Sequence, residues 1–311
     1  MKQLHRAVED YLALRRDLGF KLPYHGLYLH EFVAFLKKKG SPHITSKLAV
    51  EYATQRADEP HDSQARRLLV IRGFARYWIG VDPKTEIPPV GLLRCRRQRA
   101  KPYLYSKDEI CRLMDAALNR RASDPLKSQA FCCLFGLLAV SGLRVGEAVS
   151  LRPQDVDLSQ RMLTIRGAKF GKIRLVPLHP STCAVLREYA RCRDERLGPR
   201  VASCFFSTSH GAKLWPPDIR KIFYQLSRQI GIRKPGARRG PRLHDFRHRF
   251  AIETLLRWYR TGEAVDARIP VLSTYLGHGS PVDTYWYLGN TPELIAAAGK
   301  RMEARWKGVT E

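Results

Sequence analysis

The 311 residues suffice for two domains with separate cores, and a hydrophobic content of 44% is ordinary for a soluble globular protein. Lys+Arg outnumber Asp+Glu by 55 to 29, and a net charge of +26 favours a polyanion: nucleic acid first, with an anionic membrane surface or a ribosomal setting left open by charge alone. Seven cysteines, odd in number and without a C-x-x-C pair, argue against a disulfide framework or zinc ribbon and for reduced thiols in a cytoplasm.

The chain opens MKQLHRAVEDYLALRRD, with charges interrupting every apolar stretch, so it does not read as a secretory signal. Over residues 4–20 Leu4, Val8, Tyr11, Leu12 and Leu14 recur at helical spacing, mostly on one side. Tyr28 to Leu36 is also periodic and ends in Lys37-Lys38-Lys39-Gly40, a cationic last turn with a glycine stop. Ser46 to Gln55 and Ser63 to Ile79 add two more helical patterns. Residues 1–90 therefore read as a small helical domain. It is the less basic part, with 15 basic and 10 acidic side chains against 40 and 19 over residues 91–311.

From Gly80 to Tyr103 the chain carries Pro83, Pro88, Pro89 and Pro102 and, within residues 91–103, Arg94, Arg96, Arg97, Arg99 and Lys101. Proline breaks helices and like charges repel, so residues 91–103 are expected to be a linker. It serves either as a solvated connector or as a strap across a phosphate backbone.

A second domain, residues 104–311, begins at Ser106-Lys107-Asp108-Glu109, a capping box ahead of the apolar face of Ile110, Leu113, Met114 and Ala117. Residues 127–140 predict a buried helix, and the longest apolar run, Ala130 to Val140, is too short to span a bilayer. Met162 to Arg166 and Ile173 to Leu178 predict a hairpin around Gly167-Ala168-Lys169-Phe170-Gly171-Lys172. Ser181 to Arg196, Asp218 to Ile230, His244 to Tyr259 and Pro292 to Trp306 read as helices. The fold class expected is mainly α with a small antiparallel β-sheet.

Chemistry concentrates in short segments of this domain. In Ser141-Gly142-Leu143-Arg144-Val145-Gly146-Glu147 the glycine permits a sharp turn and Arg144 offers a planar fork for two phosphate oxygens. An Arg144–Glu147 pair of purely structural use fits the same spacing. In Arg242-Leu243-His244-Asp245-Phe246-Arg247-His248, His244 and Arg247 share a helix face and are able to hold one phosphate together. His244 and His248 also have the i,i+4 spacing of metal-binding helices, but a glutamate base and a third ligand are missing. Leu276-Gly277-His278 looks like a helix end closed by glycine, and Tyr285 and Tyr287 follow shortly after. A phenol, with a pKa near about 10, needs adjacent cations to act as a nucleophile.

This ordered set resembles the tyrosine recombinase (phage integrase) family over residues 104–295, and more loosely over the helical N-terminal domain. The resemblance matches Arg144 in SGLRVGE to the first catalytic arginine and His244 and Arg247 in HDFRH to the H-x-x-R box. It matches His278 in LGH to the second His/Trp position, Lys169 in GAKFGKIRLVPL to the hairpin lysine, and Tyr287 to the nucleophile. Lys172 competes with Lys169 and Tyr285 with Tyr287; alignment on RLVPL and spacing from His278 favour Lys169 and Tyr287. Arg249 stands where the family often has a small polar residue, and its charge has no evident purpose in the sequence.

The resemblance implies a helical core-binding domain ahead of an α+β catalytic domain. It implies that Arg144, His244, Arg247 and His278 bind the scissile phosphate while Tyr287 forms a 3′-phosphotyrosyl link and Lys169 protonates the departing 5′-oxygen. No metal, ATP or other cofactor is required on this reading. The partners implied are double-stranded DNA recombination sites and further copies of the chain, a tetramer in synapsis, for a cytoplasmic, nucleoid-associated protein with no membrane attachment. The role expected is integrase or transposase of a mobile element. A dimer resolvase of the Xer type, a type IB topoisomerase-like enzyme and a DNA-binding protein that has lost catalysis are the alternatives.

Overall fold

The computed structural model describes residues 2–56, 58–93, 101–120, 124–166, 173–200, 202–237, 239–289 and 291–307. Lys169 and Lys172, and the linker arginines Arg94, Arg96, Arg97 and Arg99, lie outside the described residues. The chain divides into two compact units, residues 1–100 and 101–311.

The first unit is built from α1 (Lys2–Asp17), α2 (His25–Lys38), α3 (Ser46–Thr54) and α4 (His61–Trp78). Leu4, Val8, Tyr11 and Leu12 of α1 are buried as their spacing predicts, whereas Leu14 lies on the other side and is 47% exposed. Leu29, Phe32, Val33 and Leu36 meet Tyr52, Ile71, Phe74 and Trp78 in a single core. Thr45 caps α3 by accepting from the Leu48 N–H. The proline-bearing stretch after α4 is not a free connector at its start. The Glu86 N–H donates to Ile44 O at 2.8 Å, the Glu86 carboxylate accepts from the Ser46 N–H, and Asp82 bonds His43 at 2.9 Å. Thr85 is buried beneath these contacts. These contacts hold residues 82–86 against the helical unit, ahead of the expected linker at residues 91–103.

In the second unit α5 (Lys107–Leu118) opens with the predicted capping box, Ser106 Oγ accepting from the Glu109 N–H at 3.0 Å and Glu109 accepting from the Ser106 N–H at 2.8 Å. α6 (Pro125–Ser141) is capped by Asp124, has Pro125 in its first turn, and is apolar nearly all round because it runs through the core. The short α7 (Val145–Ala148) follows. Strands β1 (Val156–Asp157), β2 (Met162–Ile165) and β3 (Arg174–Pro177) form an antiparallel sheet in the order β1-β2-β3. Leu163 faces Val176 across it, both buried, while Ile165 faces Arg174. α8 (Pro180–Leu197) and α9 (Pro216–Gln229) complete the core around Leu134, Phe135, Phe206 and Phe223.

α10 (Asp245–Arg260) bridges two cores. Phe246 enters the one just described, stacked on Tyr105 at 4.5 Å between ring centres, so core material begins just after the expected linker. Ala251, Ile252 and Leu255 enter another, shared with α11 (Val265–Leu276), α12 (Val282–Leu288) and α13 (Pro292–Lys307). α12 was not anticipated from periodicity: seven residues are too few for a hydrophobic period to stand out. Among the described residues no helix is long and apolar enough to cross a membrane.

Candidate active site

Two helix ends build the site. α6 stops at Gly142 and α11 at Gly277, each in the left-handed conformation with φ of +62° and +66°. A helix C-terminus leaves carbonyls without intrahelical donors and carries the negative end of the helix dipole, so it attracts cations. Three arginines occupy these two ends. Arg247, 1% exposed, donates to Gly142 O at 2.9 Å and to Leu276 O at 2.5 Å. Arg144 donates to Gly277 O at 2.9 Å, and Arg174 Nε to Tyr275 O at 2.8 Å. Both glycines are needed for space as well as conformation. A Cβ at Gly142 would lie 2.6 Å from Phe250 Cδ1, and one at Gly277 would lie 2.9 Å from Arg174 Nη1.

Glu147 ties this cation cluster together. Its carboxylate accepts the Arg174 fork at 3.1 and 2.7 Å, the Arg144 guanidinium at 2.8 Å and the Arg144 N–H at 2.9 Å. Burial alone would raise the Glu147 pKa, but the Arg174 hydrogen bonds, then the Arg144 N–H and side chain, outweigh it and hold the carboxyl at about 2. The structural Arg144–Glu147 pair is therefore present, and the same arginine also spans to the end of α11. Burial, then repulsion from Arg144, lowers the Arg247 pKa to about 10, which leaves it charged at neutral pH.

α10 starts where it does because Asp245 accepts from the Arg242 N–H at 2.8 Å and from its guanidinium at 2.7 Å. His244 stands at the helix entrance with solvent access, and the surrounding protein together with Arg247 lowers its pKa. His248, one turn on, is half-buried; its ring meets that of His244 edge-on at 4.7 Å, and its Nδ1 lies 3.1 Å from the Tyr287 hydroxyl. His278 is fixed by its backbone N–H to Ser273 O at 2.9 Å and by Nδ1 to Thr284 Oγ1 at 2.7 Å. Its ring stacks 6.4 Å from that of Tyr287. Desolvation, then Arg247, pulls the His278 pKa down to about 4.

The two competing phenols differ. Tyr287 is 2% exposed on the inner side of α12, among these groups, whereas Tyr285 is 46% exposed. Arg144, His244, Arg247, His278 and Tyr287 thus lie in one neighbourhood, and Lys169 lies outside the described residues. No cluster of three or more metal-ligating side chains occurs among the described residues.

A scan of family models matches residues 104–293 to the phage integrase family. A protein of Sinorhizobium fredii, provisionally named integrase/recombinase y4rB, is 48% identical over 100% of both chains. The chain belongs to the phage integrase family of tyrosine recombinases. Enzymes of this family break and rejoin DNA strands, and this recombinase is a site-specific one of that kind. Its fold is that of the Tn1549 transposon integrase solved with transposon right-end DNA, at a TM-score of 0.65, 15% identity and coverage of 96% and 98% of the two chains. A lambda integrase tetramer bound to a Holliday junction gives 0.58, 20% identity and coverage of 89% and 78%.

Two residues of the candidate site carry no signal in the sequence for the contacts they make. Arg174 sits in RLVPL, where a strand arginine carries no sign that its fork turns toward a helix end 101 residues away. His248 was legible only as half of a metal-like histidine pair, because i,i+4 spacing cannot tell a shared ion from a third partner brought in by another helix. Arg249, whose charge had no evident purpose, donates to Tyr105 O at 2.6 Å and so ties the start of the second unit to α10.

Proposed function

We propose that this recombinase cuts DNA by attack of Tyr287 on a phosphodiester held by Arg144, Arg247, His244 and His278, and that Lys169 protonates the departing 5′-oxygen. The observation that carries the reading is the burial of one phenol among anchored cations: Arg247 is close enough to Tyr287 for their charges to interact, and both arginines of the set donate to main-chain carbonyls at two helix ends. Positive groups held in place before substrate arrives stabilise the negative charge that grows on the nonbridging oxygens of a pentavalent phosphorus, without a reorganisation cost. The bond from phosphorus to Tyr287 stores the energy of the broken strand, so a 5′-hydroxyl of another strand reverses the step and rejoins DNA without ATP.

In this reading residues 1–90 are a core-binding domain, the basic linker of residues 91–103 contacts phosphates, and the working assembly is a tetramer on two DNA sites. The role is that of an integrase or transposase of a mobile element. Support comes from the full-length similarity to an integrase/recombinase and from the fold shared with a transposon integrase and with a lambda integrase tetramer on a Holliday junction. The charge of +26 adds to it, since phosphate contacts release counterions and make binding fall steeply with salt.

The test is a nicked suicide duplex carrying the DNA that flanks the encoding gene. The wild-type chain forms a covalent adduct, Tyr287→Phe abolishes it and Tyr285→Phe leaves it intact. An adduct that survives in Tyr287→Phe overturns the assignment of the nucleophile, and absence of any wild-type adduct on such flanks favours a binding-only protein.

A further inference from the structure

A phenol that attacks phosphorus must lose its proton, and the described structure brings a ring nitrogen to it. His248 Nδ1 is 3.1 Å from the Tyr287 hydroxyl, within hydrogen-bonding reach, with the two rings 5.5 Å apart and inclined at 65°. Tyr287 is almost fully buried, so bulk water is a poor sink for that proton. The other histidines of the site are occupied differently. His278 engages Thr284 through Nδ1, and His244 stands at the entrance, with its ring against the edge of His248. We propose that His248 is the proton acceptor for Tyr287, a catalytic residue beyond the set that the family resemblance supplies.

The inference rests on Tyr287 being the nucleophile. His248 is in the protonation state that can accept a proton, and it has to become more basic on substrate binding to do so efficiently. Burial, and then the charges of His244, Arg242 and Arg247 around α10 and of His278 after α11, lower its pKa to about 3, so the resting ring is neutral and carries one free lone pair. With that lone pair on Nδ1 facing the phenol, the N–H is on Nε2. The Trp286 ring lies 5.6 Å away, inclined at 49°. A bound phosphodiester brings negative charge into this field and raises the basicity of the imidazole where it is needed.

The proton inventory closes. The Tyr287 O–H bond breaks as the Nδ1–H bond forms, the phenolic oxygen bonds phosphorus, and the P–O5′ bond breaks with a proton delivered to O5′ by Lys169 under the proposed function. Rejoining runs the same steps backward: the incoming 5′-hydroxyl displaces the phenolate, and the imidazolium returns its proton to Tyr287. One group thus serves as base in cleavage and acid in rejoining.

Single-turnover adduct formation by the full chain on the nicked duplex tests this. His248→Ala is expected to keep DNA binding and to cleave about 10²–10⁴-fold more slowly near neutral pH, the range usual for loss of a proton-transfer group. Its rate should climb toward wild type as the pH is raised, because hydroxide replaces the missing base, and added imidazole should restore part of it. A 5′-bridging phosphorothiolate, whose thiolate leaves unprotonated, should not rescue it. His248→Asn and His248→Gln, which accept a hydrogen bond but no proton, should remain slow, and they serve also if the alanine variant fails to fold. Wild-type rates in the Asn or Gln variant, a loss equal at every pH, or rescue by the phosphorothiolate would each overturn the role of His248. If those results come with an adduct still abolished by Tyr287→Phe, only this inference fails; an adduct persisting in Tyr287→Phe removes the reading beneath it.

Discussion

Replacing Glu147 by Gln keeps the shape of the side chain and removes the charge that holds Arg144 and Arg174. Both charged partners of the tighter pair are nearly out of solvent, with side-chain exposures of 10% for Arg174 and 9% for Glu147. Removing one member of such a pair leaves a buried, uncompensated charge, which costs about 3–5 kcal/mol. The carboxyl supplies an independent figure. Its pKa falls from 4.5 to about 2 in the folded chain, and at about 1.36 kcal/mol per unit that corresponds to roughly 3 kcal/mol. The sign is that of a depressed carboxylate: the contribution is complete above the unfolded pKa and is lost as pH falls through the folded one. Urea unfolding of Glu147→Gln and wild type, followed on the transition of residues 101–311, should differ by roughly 3 kcal/mol at neutral pH and by less than half of that near pH 3. A neutral-pH difference below about 0.5 kcal/mol, the ordinary range for an exposed site, or one that does not shrink on acidification, refutes the reasoning.

Acid should weaken the site from a higher pH than carboxylates alone explain. His248 and His278 have folded pKa values depressed from 6.5 to about 3 and about 4. Their contribution is therefore present above the unfolded value and lost as pH drops below it; for His248 this amounts to roughly 2 kcal/mol between neutral pH and pH 5, and His248→Gln should flatten the measured stability–pH curve there. Gly142→Ala combines a left-handed backbone with a Cβ 2.6 Å from Phe250, a cost of about 2–4 kcal/mol. Because the Gly142 carbonyl holds Arg247, adduct formation on the nicked duplex should fall along with the melting temperature. A variant with unchanged melting would show that the helix end tolerates a side chain.

Much of the recombinase was written in local pattern. The capping box at Ser106 and Glu109, the apolar run of α6 and the β-prone runs beside RLVPL are short-range signals, because caps, helical faces and paired strands depend on residues within a few positions of one another. Charge and the ordered motifs were equally local, and they sufficed for the family. What periodicity missed was short, as with α12, or was decided by burial elsewhere, as with Leu14, whose place in the pattern does not place it in the core.

The site divides along the same line. The chain by itself determined which side chains are available: the arginine after SGL, the H-x-x-R box, the histidine after LG and two phenols two residues apart. Only the tertiary structure decided how they are held. Arg247 finds carbonyls 105 and 29 residues away, Arg174 reaches Tyr275 O 101 residues along the chain, and the His248 nitrogen meets a hydroxyl 39 residues beyond it. Those partnerships arise because two helices end side by side and expose unpaired carbonyls to a common space. They arise also because α12 turns Tyr287 inward and Tyr285 outward. No spacing within a single segment encodes that, since it is the packing of separate elements that sets which donor faces which acceptor.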